Sequence, residues 1–427
     1  MAWDWRDVPR LLASPNRAEA ISRAWNAWSW KPVYPLAGLY RRSLGRGTKV
    51  VAVVGSAGKT NTVYVLDKVL GTDDGGRVNR NFGMHLVRKL MTSGPRQKVL
   101  PMEVGISRTG QMARYAWMLK PDIVVVTTVG SDHHPSLGGR EGIFQEKSLM
   151  VKALAPDGLA VLNGDDPRVR AMADLTSAEV LFYGLGCQNQ VRAEDLSFDG
   201  PQGSSFILVA PGVRQRIRLP LLGDHMVLCA LACCAVALRL GVEVEDIAAA
   251  LQGLRPLQGR MHPVWLPNGV CLIEDHGKGT AETFKAALDF MAKVPAQRKI
   301  VVLGRVSTPL GSRYKLSKEL GAQAGRSADM LLTMGSSYKG LAAGARQAGM
   351  PNDKIINCKG EVHSVAGELR GILKPGDLVL LKGRLGQHLG RITLLLQGKE
   401  VSCSTKHCEW TTLSCDRCRL LNKPQAE

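Results

Sequence analysis

"VVAVVGSAGKTNT", residues 50–62, decides the fold. Five apolar residues run into Gly55-Ser56-Ala57-Gly58-Lys59-Thr60, the pattern of a strand, a glycine turn and a helix start. Such a turn aims backbone N–H groups at phosphate oxygens, and the helix N-terminus adds a favourable potential. On this reading Lys59 lies against the β and γ phosphates of a nucleotide and the Thr60 hydroxyl ligates Mg²⁺, with Asn61 and Thr62 completing the loop. The longer pattern G-x-x-x-x-G-K-[ST] has a glycine where this chain has Val53. A plain glycine-rich helix start is the competing reading, and it gives Lys59-Thr60 no purpose.

Outward from the loop, residues 49–255 alternate strand and helix patterns. Apolar strands fall at 50–54, 98–103, 122–128, 159–163 and 179–183, with helical periodicity at 60–70, 110–119 and 140–155. This predicts an α/β fold: a central phosphate-loop domain on a mostly parallel, doubly wound sheet. Residues 191–220 read as a β-rich excursion before a helix at 225–240. A second alternation over 256–398 predicts a smaller Rossmann-like domain. The first 48 residues hold five of the eight tryptophans, interleaved with arginines, and read as one or two helices and a linker. Residues 399–427 form a separate Cys-rich tail.

Composition narrows the function classes. With 45% apolar residues the chain supports globular cores. Its longest apolar run, "VLCALACCAVAL" (227–238), is shorter than the roughly 18 residues of a membrane span and reads as a buried helix. The N-terminus lacks a secretory pattern, so the expected compartment is the cytoplasm, with a membrane surface in reach. A net charge of +19 favours anionic partners. No helix-turn-helix, zinc-finger array or RNP pattern supports nucleic acid. Cys187, Cys229, Cys233, Cys234, Cys271 and Cys358 read as buried reduced thiols.

The shortened loop Gly55–Thr62 resembles that of the Mur ligase family, and further motifs follow in order. They are Glu103-Val104-Gly105, Pro121-Asp122, Val129-Gly130 with His133, Arg140-Glu141-Gly142 and Lys147. "VLNGDDPRV" (161–169), "LQGR" (257–260) and "LLKGRLGQHLGR" (380–391) complete the set. The likeness covers about 49–395 and is strongest to the family's D-alanyl-D-alanine-adding branch. It implies an ATP-dependent amide ligase working through an acyl phosphate. It also implies Mg²⁺ on Thr60 and Glu103, a second ion on His133 and a carbamylated Lys147, and Arg260 with Lys59 on the moving phosphoryl group. Asp275 is implied as a ribose contact beside the loop residues Gly55, Ser56, Ala57, Gly58, Lys59, Thr60, Asn61 and Thr62.

Three departures qualify the resemblance. The family's UDP-sugar domain has only residues 1–48 in its place, so a lipid-linked carboxylate stands beside a UDP-linked one. Where the family has adenine-binding asparagines, this chain has Met226 and Cys229. Its C-terminal motif reads Glu274-Asp275-His276-Gly277-Lys278. In the tail, Cys403, Cys408, Cys415 and Cys418 suit a structural Zn²⁺ by their two close pairs, with free thiols as the alternative. The Trp/Arg segment either meets a lipid surface or packs on the central domain. The expected substrates are a carboxylate and an amine. A glutaminase partner supplying ammonia, or a non-catalytic nucleotide scaffold, are the other readings.

Overall fold

The computed structural model describes residues 29–72, 81–94, 97–130, 137–307, 311–335, 337–359, 361–403, 415–418, 421 and 422. Two compact units divide them. The first comprises the chain to Leu196 with Phe206–Arg218 and Met226–Leu254; the second comprises Ser197–Ser205, Leu219–His225 and the chain from Arg255.

The first unit is built on an eight-stranded sheet of order β2-β1-β3-β4-β5-β6-β7-β8. Its strands are β1 (Lys49–Val54), β2 (Val99–Glu103), β3 (Ile123–Val126), β4 (Leu159–Asn163), β5 (Glu179–Gly184), β6 (Val191–Phe198), β7 (Ser204–Ala210) and β8 (Val213–Leu219). β1 to β6 pair in parallel. β1 and β3 are continuous Val/Ile/Ala runs, buried from Val50 to Val54 and from Ile123 to Val126, as strands covered on both faces must be. The remaining strands follow one another through short turns, the β-rich excursion that the sequence predicts. Because β1 lies between β2 and β3, the chain order reverses at β1, the switch point beyond whose carboxyl end open α/β sheets bind ligands.

Helices α1 (Trp30–Arg42), α2 (Lys59–Val69), α3 (Gly83–Thr92), α4 (Gln111–Leu119), α5 (Gly139–Lys152), α6 (Asp224–Arg239) and α7 (Val244–Gln252) connect or cover these strands. α1 answers the question for one of the five tryptophans. Trp30 is 1% exposed and packs on Tyr115, ring centres 4.9 Å apart, within the core. Trp3, Trp5, Trp25 and Trp28 lie outside the described residues. The apolar run at 227–238 is the buried helix α6. No helix among the described residues is long and apolar enough to cross a membrane.

The second unit has a six-stranded sheet, β13-β12-β11-β14-β10-β9, formed by β9 (His262–Trp265), β10 (Cys271–Asp275), β11 (Arg298–Leu303), β12 (Met330–Thr333), β13 (Ile355–Asn357) and β14 (Asp377–Lys382). Five strands run parallel, and β9 is an antiparallel edge that the sequence pattern does not reveal. α8 (Ala281–Lys293), α9 (Arg313–Ser327), α10 (Tyr338–Gln347), α11 (Val362–Ile372) and α12 (Gly390–Leu396) pack around it. The tail is less separate than its composition predicts, because Val401 and Leu421 enter this unit's core. Of the six scattered cysteines five are buried; Cys187 is exposed, since it sits in the turn after β5 rather than in a core element.

Candidate active site

β1 ends at Val54 and the chain turns at Gly55, whose φ of 149° falls where glycine is favoured. A side chain there has no room: an added Cβ would stand 1.9 Å from the Thr127 hydroxyl. Gly58, with φ 83°, is the N-cap of α2, and no side chain caps that helix. The first N–H groups of a helix have no partner within it, so this end offers donors and positive potential to an anion. Two cations converge on the same point. Lys59 Nζ donates to the Gly55 carbonyl at 2.7 Å and Lys147 Nζ, from α5, to the same oxygen at 3.0 Å. Both lysines are buried. Two cationic side chains meeting at one helix start favour an anion there.

The neighbouring strand ends hold the loop. Thr127 Oγ1 donates to the Ala57 carbonyl at 2.5 Å, and Gly130 N donates to Ser56 Oγ at 2.9 Å. The "VLNGDDP" motif braces this strand end. Asp166 Oδ2 accepts from Thr128 Oγ1 at 2.8 Å and from Val129 N at 2.9 Å, while Asn163 Nδ2 donates to the Thr127 carbonyl at 2.8 Å. Glu103 closes β2 in register with Val53, two residues before Gly55. Its Oε1 accepts from Asn81 Nδ2 at 2.6 Å. Sequence reasoning missed Asn81; the only signal was its place in a polar run with no helical or strand period. Glu103 and Thr60 both carry the oxygen donors that Mg²⁺ prefers. Thr62 Oγ1 and Asn61 Oδ1 are buried without a hydrogen-bond partner. His133 lies outside the described residues.

Met226 and Cys229 turn toward the loop rather than away from it. Asn61 Nδ2 donates to Met226 Sδ at 3.1 Å and Cys229 Sγ donates to the Gly58 carbonyl at 3.7 Å. Met226 is 1% exposed, so it packs beneath the start of α2 and presents no open face to a purine.

In the second unit, Lys382 Nζ donates to Asp275 Oδ2 at 2.6 Å and to the Lys278 carbonyl at 2.9 Å, and lies 5.2 Å over the Phe284 ring. Burial pushes the Lys382 pKa down, Asp275 opposes that, and Arg260 adds to it. Met261 N donates to the other oxygen of Asp275 at 3.3 Å. Both oxygens of Asp275 are thus engaged by the unit's own donors, and the residue offered as a ribose contact braces Lys382 here. Beside it, Glu274 Oε1 accepts from Thr393 Oγ1 at 2.6 Å. His276 keeps part of its surface exposed, yet both ring nitrogens are shielded and without partners. Burial lowers its pKa, against the pull of Glu274.

The tail thiols converge on an arginine. Arg391 donates to Cys403 Sγ at 3.3 Å and to Cys415 Sγ at 3.4 Å, and His388 Nδ1 is 3.3 Å from Cys415 Sγ. Cys408 lies outside the described residues, and among the described residues no group of His, Cys, Asp and Glu is arranged to hold a metal.

Comparison with known proteins fixes the family. The Mur ligase middle domain matches residues 53–237. The UDP-N-acetylmuramoyl-tripeptide–D-alanyl-D-alanine ligase of Mycobacterium tuberculosis H37Rv is 30% identical over 371 residues, 81% of this chain and 72% of that protein. The chain belongs to the Mur ligase family. The ligase of the same name from Bacillus subtilis is 29% identical, over 84% of this chain and 77% of that protein. Among solved structures, MurF of Acinetobacter baumannii shares the fold at TM-score 0.76 and 24% identity, over 86% of this chain and 80% of its own. MurF of Thermotoga maritima, solved in complex with ADP, matches at TM-score 0.72 and 25% identity, over 86% and 84%. As a Mur ligase the protein is an ATP-dependent, amide-bond-forming enzyme. None of the relatives named here is an amidotransferase subunit or a non-catalytic scaffold.

Proposed function

We propose that this Mur ligase joins the terminal carboxylate of a muramoyl-peptide type precursor to the amine of a short peptide such as D-alanyl-D-alanine. The names of its relatives support the substrate class. The observation that carries the chemistry is the convergence of Lys59 and Lys147 on the Gly55 carbonyl, at a helix start with no side-chain cap. A carboxylate oxygen of the precursor attacks the γ-phosphorus of ATP, and ADP leaves. The amine then attacks the acyl carbon, inorganic phosphate leaves, and the nitrogen loses a proton. Lys59, with Arg260 of the second unit, steadies charge on the transferring phosphoryl group. Mg²⁺, held by Thr60 and Glu103, supplies neutralisation of the phosphate oxygens.

The finer metal readings rest on the same positions. A carbamate on Lys147 converts one of the two crowded cations into an anionic ligand, and His133 is its proposed companion. For the tail, a structural zinc on Cys403, Cys408, Cys415 and Cys418 is supported by their two close pairs in sequence, and it would displace the Arg391 donors that two of those sulfurs now accept. Elemental analysis decides it, with one zinc per chain expected.

The test is turnover of ATP with UDP-N-acetylmuramoyl-tripeptide and D-alanyl-D-alanine, read by phosphate release and by the mass of the product. Lys59→Ala and Glu103→Ala each lower kcat by about 10²-fold or more while the protein stays folded. Near-normal turnover in either variant sinks the mechanism. Wild-type activity only with ammonia as nitrogen donor sinks the peptide reading and restores the amidotransferase one.

A further inference from the structure

We infer that the outer face of the layer formed by α1, α3 and α4 docks on the surface of an anionic lipid bilayer. α1 lies between the other two helices: Tyr40 Oη donates to the Ser93 carbonyl at the end of α3 at 2.6 Å, and Arg42 donates to the Trp117 carbonyl of α4 at 2.7 Å. The inner side of α1 is fully used, with Trp30, Ala37, Gly38 and Arg41 buried.

The outer side combines two features. It is apolar where a soluble surface is usually polar. Six of the eight large apolar side chains that stand exposed among the described residues belong to this layer or its ends: Leu36, Leu39, Leu44, Phe82, Met91 and Trp117. Leu36 and Leu39 are each 59% exposed and Leu44 76%. It is also predominantly cationic, and the acids that flank it, Glu103 and Asp122, are engaged by Asn81 and Arg41. Residues 29–49, 81–102 and 104–121 contain no aspartate or glutamate. Lys31, Arg46, Arg88, Arg108, Arg114 and Lys120 all stand exposed there.

This pairing selects the partner. A bilayer with acidic headgroups attracts the cations and accepts protruding leucines and an indole at the headgroup boundary. A second copy of the same face would set cations against cations, which disfavours self-association. Nucleic acid satisfies the charge but leaves the leucines in water. The exposed indole of this face, Trp117, is also unavailable for stacking on a base, because the Arg42 guanidinium covers it at 4.5 Å. The inference does not depend on the substrate proposed above, since it rests on a face away from the phosphate loop's own residues.

The test is cosedimentation of the full chain with vesicles of phosphatidylcholine alone and of phosphatidylcholine mixed with phosphatidylglycerol, at low and high salt. Binding is expected only to the mixed vesicles, and weakened by salt. Leu36→Ser with Leu39→Ser, and separately Arg88→Glu with Arg114→Glu, each lower the partition coefficient by about tenfold or more. Arg326→Glu with Lys339→Glu changes net charge equally on the second unit and leaves partitioning unchanged. Three results overturn the inference: no binding to mixed vesicles at low salt, equal loss in the control pair, or full retention in both layer variants. Oligonucleotide binding that is lost in the arginine variant and kept in the leucine variant, with no vesicle binding, assigns the face to nucleic acid instead.

Discussion

At the scale of single residues the site depends on contacts that tolerate no addition. Gly55→Ala must move its own backbone or the Thr127 side chain, because the new Cβ meets that hydroxyl at 1.9 Å and φ is 149°. We expect the variant to lose ADP binding by at least about tenfold, measured by titration calorimetry, since the donors of the loop are re-aimed. Unchanged affinity would show that the loop does not cradle phosphate. His276 carries a second prediction. Its pKa is lowered from 6.5 in the folded state, chiefly by burial. Between the lowered value and 6.5 the unfolded chain binds more protons, so stability is lost as pH falls below 6.5 and is unaffected above it. Glu274, also lowered, from 4.5, adds a further loss only at more acid pH. His276→Gln therefore flattens the first window. Amide-exchange protection of β10, compared at about pH 7.5 and 5.5, reads it locally; an unaltered pH slope in the variant refutes the assignment.

At the scale of elements, the strands and the loop were legible because their periods and glycines are local facts. The role of α1 was not. Its Trp/Arg composition reads equally as a lipid-facing or a packed segment, and the structure places Trp30 on the packed side against Tyr115 while Leu36 and Leu39 of the same helix stand exposed. Arg41 shows why such a basic residue need not be a surface charge. It is 5% exposed and donates to the Leu119 carbonyl at 3.0 Å, the Gly45 carbonyl at 2.8 Å and Asp122 Oδ2 at 2.6 Å. Asp122 is 42% exposed, so most of the effect comes from the carbonyls left without a donor rather than from the ion pair. Arg41→Ala should cost about 2–4 kcal/mol, and Arg41→Lys most of that, because an ammonium cannot span the same acceptors. Urea midpoints measure both. A midpoint unchanged in Arg41→Ala would mean that α1 is not part of the folding unit.

At the scale of the whole molecule, two α/β units were legible from the return of strand–helix alternation after residue 255. The site was legible only in part, because its logic is spread over strands distant in sequence. Lys147 reaches the loop through α5, whereas Asn81 carries no local signal and becomes visible only through the Glu103 carboxylate it holds. That distribution has a thermodynamic consequence. A ligand that binds only the folded phosphate loop stabilises the unit that holds it by mass action, about 2.7 kcal/mol at a concentration 100 times its Kd. ADP with Mg²⁺ should therefore slow amide exchange in β1, α2 and β3, elements whose hydrogen bonds open only when the loop is dismantled. In Lys59→Ala the ligand loses the cation that meets its phosphates, so at the same ADP concentration the slowing should largely vanish while exchange without ADP stays as in the wild type. Equal protection in the two proteins would mean that ADP binds somewhere other than this loop. The convergence of Lys59 and Lys147 on Gly55 would then need a different anion to explain it.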